Sequence, residues 1–428
     1  MIWTTTRFPA AALGLLLAAL GGACENDTVN RPFSNIPVDP LFERYVSIGN
    51  SITAGFQSDG ILDSTQLQSY TVLLARAMHS PFFVPLMKRP GCRPPFTNVF
   101  TQTRLTPPGF PPSTATSCYL RVVPPIPPPF VSNTAVPGAE VLDIYNNLDP
   151  ASNANTLTTF FLGGLTQVQM AERAEPTFVS VWIGNNDVLG AATSSTNGGD
   201  TTLITPAATF TLRYTAMMDS IDQMAPQGGV LIGVANVTLI PFFSRGSTYW
   251  AIKNGLVPGA AFPATMAVDN NCAPAAVMIP GSRGDSTLVP FPYGAALLTA
   301  ASGGTPVVLS CSDTVPRVVV PAELRALVAA VTAYNATISA AAAVTARGWA
   351  YLDPNVKLAT LAADTAQVRP FPYFPQGNAG DTVAVRRPFG RAFSLDAVHP
   401  SAATHRLLAD TLRQLINATY TTAIPPIP

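Results

Sequence analysis

The stretch YVSIGNSITAG, residues Tyr45 to Gly55, is where this chain most directly suggests chemistry. An apolar run stops in Gly49-Asn50-Ser51, and a second glycine follows shortly after. A serine hydroxyl is a weak nucleophile unless a base takes its proton and donors stabilise the oxyanion on its target. A nucleophilic Ser51 therefore requires a histidine, a carboxylate and hydrogen-bond donors from elsewhere in the chain.

The same glycines could instead cradle a phosphate group. A P-loop requires Lys followed by Ser or Thr after its second glycine, but Phe56 and Gln57 follow Gly55. A dinucleotide fingerprint requires Gly-x-Gly-x-x-Gly, and only Gly49 and Gly55 are present here. Both phosphate-binding interpretations are set aside.

Three histidines could supply the base. His79 ends a predicted helix, where a cation favours the helix dipole, and His405 lies among polar residues of the last predicted helix, which indicates a solvated face. His399 stands in SLDAVHPS, outside any predicted helix and three residues after Asp396. In a turn, this spacing lets the carboxylate bond Nδ1 and leaves Nε2 to face a hydroxyl. Taken locally, a surface Asp and His near a helix cap is the simpler interpretation.

Two residues could donate hydrogen bonds to an oxyanion. Gly138 follows a short predicted strand and offers a backbone N–H that no side chain blocks. Asn186, in the stretch GNND, offers a side-chain amide that stays neutral at any pH. Both also have a structural interpretation, because glycine commonly ends a strand and Asn-Asn-Asp is a common turn.

The elements that must position these residues alternate between strands and helices. Buried strands are predicted at RYVSIG, TFVSVWIG, GGVLIGVAN and WAYLD. Helices are predicted at QLQSYTVLLARAMHS, TQVQMAERA and ATFTLRYTAMMDSIDQMA, after Pro321, and after Ser401. This alternation predicts an α/β fold with a parallel sheet covered on both faces. The carboxyl ends of such strands share one edge, so Ser51, Gly138 and Asn186 are expected to meet there.

Four short blocks resemble, in order and in kind, those of the SGNH/GDSL hydrolases. GNSITAG resembles the first block and implies that Ser51 is the nucleophile. NTAVPGAEV and GNND resemble the second and third, and imply that Gly138 and Asn186 are oxyanion donors. DAVHPS resembles the last and implies that Asp396 is the orienting acid and His399 the base, which reverses the local interpretation of that pair.

The resemblance covers roughly residues 44–420 as a single domain. It implies a three-layer α/β/α sandwich, flavodoxin-like, with a central parallel sheet. The sequence itself predicts long loop insertions near residues 80–130, which are rich in Pro and Thr, and near residues 240–318, which show no regular pattern. The resemblance also implies an ester hydrolase, similar to carboxylesterases and lipases, that works through an acyl-enzyme. The Ser51 N–H is then a third oxyanion donor, and neither a metal nor an organic cofactor is implied.

The chain departs from the family pattern at two positions. Asn50 stands where the family usually has Asp before the serine. Because an amide still accepts and donates hydrogen bonds, we expect activity to survive this change. Thr404 replaces a glycine of the usual last block, and His405, which keeps the final place of that block, is given no role.

Two other functions stay open. A carbohydrate O-acetyl esterase would use the same site, and polar and aromatic platforms near Ser51 would indicate it, whereas a deep apolar groove would indicate a lipid or another acyl ester. A surface-binding protein that keeps the fold without chemistry is the other alternative, although every chemical residue is present. Labelling by a serine-reactive fluorophosphonate separates the enzyme from the binding protein.

The N-terminus indicates export. A positive residue, an apolar run from Ala10 to Leu20 and small residues before Cys24 are typical of a signal peptide, here residues 1–23. The stretch also resembles a bacterial lipoprotein signal that lipidates Cys24, although Gly21 stands where that family usually has Leu. Ordinary cleavage after Ala23 is the competing interpretation.

A lipidated Cys24 would anchor the chain in a membrane. We then expect a lipoprotein of the bacterial outer membrane or cell surface, and otherwise a periplasmic or secreted protein. Residues 24–43, which contain three prolines, are expected to be a tether. No later stretch reads as long and apolar enough to span a bilayer.

The four cysteines after Cys24 predict two disulfides, since an even number in an exported chain is typical of such bonds. Four cysteines allow three pairings. Cys92–Cys118 and Cys272–Cys311 are favoured because each would close a loop-rich segment, and unpaired thiols are the alternative. The spacing fits no zinc motif, so no metal site is predicted.

Composition excludes several classes of protein. Lys and Arg together number 24, as do Asp and Glu, so the chain lacks the electrostatic signature of nucleic-acid or anionic-membrane binding. Hydrophobic residues make up 47% of the chain, which excludes general disorder. The 42 prolines predict long proline-rich loops on a chain of 428 residues that can build a large core.

Overall fold

The computed structural model describes residues 38–122, 128, 130–344, 346–372 and 387–428. The signal peptide, Cys24 and most of the expected tether therefore lie outside the described residues. The described strands are β1 (Tyr45–Gly49), β2 (Phe96–Asn98), β3 (Thr103–Arg104), β4 (Phe178–Trp182), β5 (Gly228–Ile232), β6 (Phe243–Arg245), β7 (Met266–Val268), β8 (Leu288–Pro290), β9 (Val307–Leu309) and β10 (Ala350–Leu352).

The described α-helices range from single helical turns to long helices that pack on the sheet. They are α1 (Ser51–Ala54), α2 (Asp63–Gln66), α3 (Tyr70–Ala77), α4 (Thr156–Leu162), α5 (Gln167–Ala174), α6 (Asn186–Ala192), α7 (Ala207–Asp222), α8 (Gly246–Lys253), α9 (Phe291–Ser302), α10 (Pro321–Ala342), α11 (Pro354–Ala362) and α12 (Ala402–Tyr420).

The central sheet is parallel and has the strand order β1-β4-β5-β10. Gly49 pairs with Trp182, Trp182 with Ile232, and Ile232 with Leu352. These are the last residues of the four strands, so the carboxyl ends align along one edge. The predicted α/β fold with a central parallel sheet is confirmed.

Side chains alternate between the two faces of the sheet, as the period of a strand requires. One face contributes Val46, Ile48, Val179, Val181 and Leu231 to the larger core, and the other contributes Tyr45, Phe178, Trp182, Val230 and Ile232 to a second core. Helices α5, α7 and α10 supply buried residues to the larger core, and α3 and α12 to the second. Both faces are therefore covered.

Helix α10 is long and apolar enough to cross a membrane by length and composition, contrary to the sequence-based expectation. It opens with Pro321, and the Glu323 side chain accepts the backbone N–H of Val320 at 2.8 Å. Its buried residues recur every three or four positions: Leu327, Val331, Tyr334, Ile338 and Ala342. That stripe packs on α7 and the sheet, which is the pattern of an amphipathic core helix.

Residues 240–318 are more regular than the sequence suggested. They form the antiparallel pair β6–β8, the parallel pair β7–β9 and helices α8 and α9. A third core is built mainly from this segment, with Val99, Val320, Phe371, Phe389 and Ala397 added from outside it, and the Cys272–Cys311 disulfide is part of it. The earlier loop, residues 80–122, contains β2, β3 and the Cys92–Cys118 disulfide. Both predicted pairings are confirmed.

The folded unit extends beyond the expected limits of residues 44–420 at both ends. Phe42, which was assigned to the tether, is 2% exposed and stacks edge-on against Phe178 with ring centroids 5.3 Å apart. At the other end, Ile424 and Ile427 are buried in the second core. The tether was predicted from its three prolines and its lack of periodicity, neither of which indicates the burial of a single residue such as Phe42.

Candidate active site

Ser51 is the first residue of α1, directly after β1. The turn requires glycine at position 49, because a Cβ there would lie 2.3 Å from Thr53 Oγ1 and 2.6 Å from the Trp182 carbonyl oxygen. Gln167 holds the same glycine: its Oε1 accepts the Gly49 N–H at 2.9 Å, and its Nε2 donates to the Gly49 carbonyl at 2.8 Å. The position of Ser51 is thus fixed by close backbone contacts.

Asn50 is fully buried and caps α1. Its Oδ1 accepts the Ile52 N–H at 3.1 Å, and its Nδ2 donates to Asn185 Oδ1 at 3.4 Å. Gly55, with φ of 83°, ends the helix after four residues. The Ser51 N–H is a first-turn amide without an intrahelical acceptor, which makes it available to an oxyanion.

His399 lies between Ser51 and Asp396. Its Nε2 is 2.9 Å from Ser51 Oγ, and its Nδ1 is 2.9 Å from Asp396 Oδ2. The ring also contacts Phe56, with centroids 4.9 Å apart. When Nδ1–H donates to Asp396, Nε2 is left as the acceptor of the Ser51 hydroxyl proton. The structure therefore joins serine, histidine and carboxylate in one hydrogen-bonded chain.

The Asp396 side chain is 8% exposed and fully engaged. Oδ1 accepts the backbone N–H groups of Val398 at 2.9 Å and His399 at 2.8 Å and the Ser394 hydroxyl at 3.1 Å. Oδ2 also accepts the Asp59 N–H at 2.7 Å. Burial raises the pKa of Asp396, but the charge of His399 and the hydrogen bonds from His399 and Val398 outweigh it and bring the pKa to about 2. The carboxylate is ionised at neutral pH.

Gly138 reaches the same edge of the sheet through the segment 132–136, which runs beside β1. The Thr134 N–H bonds the carbonyl of Ser47, and the Val136 N–H bonds that of Gly49 at 3.2 Å. Gly138 follows with φ of 86°, a conformation that favours glycine. This segment and the nucleophile turn are therefore neighbours.

Asn186 is the first residue of α6, which follows β4. Its Nδ2 donates to the Ala139 carbonyl at 2.8 Å, and the neighbouring Asp187 accepts the Val141 N–H at 3.1 Å. Asn186 and Asp187 thus hold the backbone segment that follows Gly138. Because a side-chain amide has two hydrogens, one hydrogen of Asn186 remains for a further acceptor.

A cleft that is partly open to solvent is lined by Ser51, Asn186 and His399. The polar residues of its lining are mainly Ser51, His399 and the three asparagines at positions 50, 185 and 186. The rest of its wall is mostly apolar and includes Trp182, Leu189, Ile240, Leu358, Phe393 and Leu407. The cleft suits a ligand with one reactive polar group and an apolar body.

His405 is not on a solvated face, and the sequence-based expectation was wrong. It is completely buried, its Nδ1 accepts the Tyr70 N–H at 3.3 Å, and its ring stacks on that of Tyr70. Burial, with a smaller contribution from His399, lowers the pKa of His405 to about 3, so the ring is neutral. Its polar neighbour Arg406 is exposed, so polarity in the sequence around position 405 did not indicate burial of the histidine itself.

Two residues that hold the site were missed in the sequence. Gln167, which clamps Gly49, is separated from it by 118 positions, and Asp59, which bonds Asp396, by 337 positions. The only local signal was Thr166, the N-cap of α5, which places Gln167 at the start of that helix.

Comparison with models of protein families and with curated proteins gives no significant match. Within the described residues, no group of three or more His, Cys, Asp and Glu side chains could hold a metal ion.

Proposed function

We propose that the chain is a serine ester hydrolase of the SGNH/GDSL type, with an α/β/α sandwich around the observed parallel sheet. The observation that carries this proposal is the chain of hydrogen bonds Ser51–His399–Asp396, with 2.9 Å at each step, at the base of an apolar cleft. A serine, a histidine in the required orientation and an ionised carboxylate are the parts that nucleophilic acyl transfer needs.

In the proposed first half-reaction, Ser51 Oγ attacks the ester carbonyl carbon while its proton moves to His399 Nε2. The carbonyl π-electrons move to oxygen, and the oxyanion accepts hydrogen bonds from the N–H groups of Ser51 and Gly138 and from Asn186 Nδ2. Collapse of this intermediate expels the alcohol oxygen, which takes the proton from His399. The products are an alcohol and an ester of Ser51.

In the second half-reaction, the oxygen of a water molecule attacks the carbonyl carbon of the acyl-enzyme while His399 Nε2 takes a proton from that water. The same three donors hold the second oxyanion, and the proton returns from His399 to Ser51 Oγ as the carboxylic acid leaves. Asp396 stays ionised throughout and stabilises the imidazolium that forms in each half-reaction. Its pKa of about 2 supports this role.

The lining of the cleft favours an acyl ester as substrate. A sugar site would be expected to present polar side chains along its wall, whereas most of this wall is aliphatic or aromatic. Among the lining residues, Lys357 is the one lysine, and this residue is exposed to solvent. We therefore propose a carboxylesterase or lipase in preference to a carbohydrate O-acetyl esterase.

Export is part of the proposal. The two disulfides support it, because such bonds persist mainly in oxidising compartments. The N-terminal pattern adds a lipid on Cys24, which lies outside the described residues. Retention of a lipid-anchored protein in the membrane fraction, and its release by Cys24→Ala, would test this assignment.

A panel of p-nitrophenyl esters and acetylated sugars tests the proposed activity. The parent is expected to hydrolyse p-nitrophenyl esters of several chain lengths faster than acetylated sugars, and Ser51→Ala to lose about 10⁶ in turnover. A fluorophosphonate should label the parent and not the variant. Equal hydrolysis by both proteins would rule out Ser51 as nucleophile, and a folded parent that is neither labelled nor active would be a binding protein.

A further inference from the structure

The turn formed by residues 57–60 touches the carboxylate of the proposed triad. Gln57 and Gly60 exchange backbone hydrogen bonds of 2.9 and 3.1 Å, and both central residues, Ser58 and Asp59, have φ of 55°. Positive φ at both positions is the geometry of a tight hairpin turn, which usually recruits glycine or asparagine. Without glycine at either position, the surroundings must hold this turn in place.

Two groups of contacts join the turn to the loop that carries Asp396. The Asp59 N–H donates to Asp396 Oδ2, the same oxygen that accepts from His399 Nδ1. Ser58 makes two further bonds to the same loop: its N–H donates to Ser394 Oγ at 2.8 Å, and its Oγ accepts the Leu395 N–H at 3.1 Å. The orientation of the carboxylate therefore depends on the turn.

Arg104 holds the turn from the opposite side. It lies on β3 in the disulfide-closed loop, and its side chain is 5% exposed. One guanidinium nitrogen donates to the Asp59 carbonyl at 2.9 Å and to the Pro94 carbonyl at 2.8 Å, and another pairs with the Asp59 carboxylate. The guanidinium also lies 4.0 Å over the ring of Phe96. A buried guanidinium with this set of partners is pre-organised.

We propose that Arg104 and Asp59 are positioning residues of the triad. This inference rests on the proposed hydrolase function. It gives the loop closed by the Cys92–Cys118 disulfide a supporting role in catalysis. Arg104 fixes the Asp59 backbone, Asp59 fixes Asp396 Oδ2, and that oxygen fixes the His399 ring. The turn acts by holding Asp396 Oδ2 within hydrogen-bond distance of His399 Nδ1.

Arg104→Met provides the test, with Asp59→Asn as a second variant that keeps the backbone N–H. Both should lower kcat by roughly 10- to 100-fold with little change in KM, since misplacement by about 1 Å can cost that much. A loosened carboxylate stabilises the imidazolium less. The acid limb of the pH–rate profile should therefore move to lower pH in both variants, and Arg104→Lys should lie between Arg104→Met and the parent.

Arg93→Met is the matched control. Arg93 donates to the same Asp59 carboxylate at 2.9 Å, but its side chain is 47% exposed, so its loss should change neither kcat nor the acid limb. The proton NMR signal of the His399 Nδ1–H, which bonds Asp396 Oδ2 at 2.9 Å, can be recorded in the same variants and needs no turnover. An upfield shift or loss of this signal in Arg104→Met or Asp59→Asn supports the proposal even if the parent hydrolyses no ester.

An unchanged acid limb and an unchanged His399 Nδ1–H signal in Asp59→Asn would overturn the inference, whatever happens to thermal stability. The same result in Arg104→Met, if it folds, would do so as well. Loss of all ester hydrolysis in the parent would instead refute the proposed function, because the NMR measurement stands apart from it.

Discussion

At position 50 the chain has Asn where the SGNH/GDSL hydrolases, which it resembles, usually have Asp. The contacts of the Asn50 side chain show what its amide does. Asn50 Oδ1 caps α1 as a carboxylate would, while Nδ2 donates to Asn185 Oδ1. An aspartate could keep the cap, and Asn185 could rotate its amide to become the donor.

We therefore expect Asn50→Asp to change kcat/KM by no more than a few-fold in the ester assay. Asn50→Ala, which loses the cap, should cost about 0.5–2 kcal/mol of stability, measured by denaturant unfolding. A loss of activity by Asn50→Asp as large as that expected for Asn186→Ala would mean that the amide itself has a chemical role.

Asn186→Ala tests the proposed oxyanion site. Removing one side-chain donor should lower kcat on the order of 10²–10³-fold with little effect on KM, because the bond forms mainly in the transition state. The variant also loses the 2.8 Å bond to the Ala139 carbonyl, so a control must separate support of the loop from catalysis.

Asn153→Ala is that control. Asn153 is exposed, and its amide donates at 3.3 Å to the carbonyl of Gly138 in the same loop, but it does not line the cleft. We expect kcat within a few-fold of the parent. Equal losses in the two variants would remove Asn186 from the oxyanion site and leave it as a support of the loop.

The residues of the proposed triad could be found in the sequence because each belongs to a short block with its own local pattern. Asp396 and His399 are three positions apart, and Ser51 lies between two glycines. Gln167 and Arg104 carry no such pattern, because their partners are brought near only by folding. The sequence therefore pointed to three groups that the structure joins by hydrogen bonds, and gave no sign of the residues that hold them from distant parts of the chain.

At the scale of elements, the contact between α3 and α12 contains a titratable group. The buried His405 of α12 accepts the Tyr70 N–H at the start of α3 and has a pKa of about 3 in the folded state. In the unfolded chain its pKa is about 6.5. Below that pH the unfolded state binds the additional proton, so stability falls on acidification by about 1.4 kcal/mol per pH unit.

His405→Asn should remove this dependence while keeping an acceptor for the Tyr70 N–H. Between pH 7 and pH 5, the stability of the parent relative to the variant should fall by about 2 kcal/mol, measured by urea unfolding. Burial, and then Glu140, raise the pKa of Asp187 to about 7, which acts in the opposite direction. Because Asp187 is present in both proteins, its effect cancels. Parallel pH curves would show that His405 is protonated in the folded state.

The elements were predicted best where one pattern dominated. The β-branched runs that became β1 and β4 were found, and Ser401 does cap α12, with its Oγ accepting the Thr404 N–H at 3.4 Å. The helix expected from Gln66 to Ser80 begins only at Tyr70, as α3, because Ser69 caps it, and α2 ends at Gln66 before it. Strands of three residues, such as β6 to β9, are too short to show a period.

At the scale of the whole molecule, two long insertions meet at the loop that carries the proposed acid. The first reaches it through Arg104 and the turn at Asp59. The second reaches it through the Phe242 N–H, which donates to the carbonyl of Ala397 at 3.1 Å. Ala397 is also fully buried in the third core. The proline-rich insertions therefore brace the site, a role that composition alone could not indicate.

The two disulfides should differ in what they support. Their sequence separations are 26 and 39 residues, so the chain-entropy model gives similar stabilisation, about 3.5 kcal/mol for Cys92–Cys118 and about 3.9 kcal/mol for Cys272–Cys311. The Cys92 N–H donates to the Ile61 carbonyl, two residues from Asp59, whereas Cys272–Cys311 links the segments that carry β7 and β9.

Double alanine variants at each pair separate stability from catalysis. Both should unfold at lower temperature by similar amounts, but only Cys92→Ala/Cys118→Ala should also lower kcat, on the order of 10-fold, when assayed well below its melting temperature. The reason is that this bond secures the loop from which Arg104 holds the turn at Asp59. If the two folded variants have equal kcat, the loop that carries Arg104 keeps its shape without the Cys92–Cys118 disulfide. A loss of kcat in Cys272→Ala/Cys311→Ala alone would assign the support of Asp396 to the second insertion.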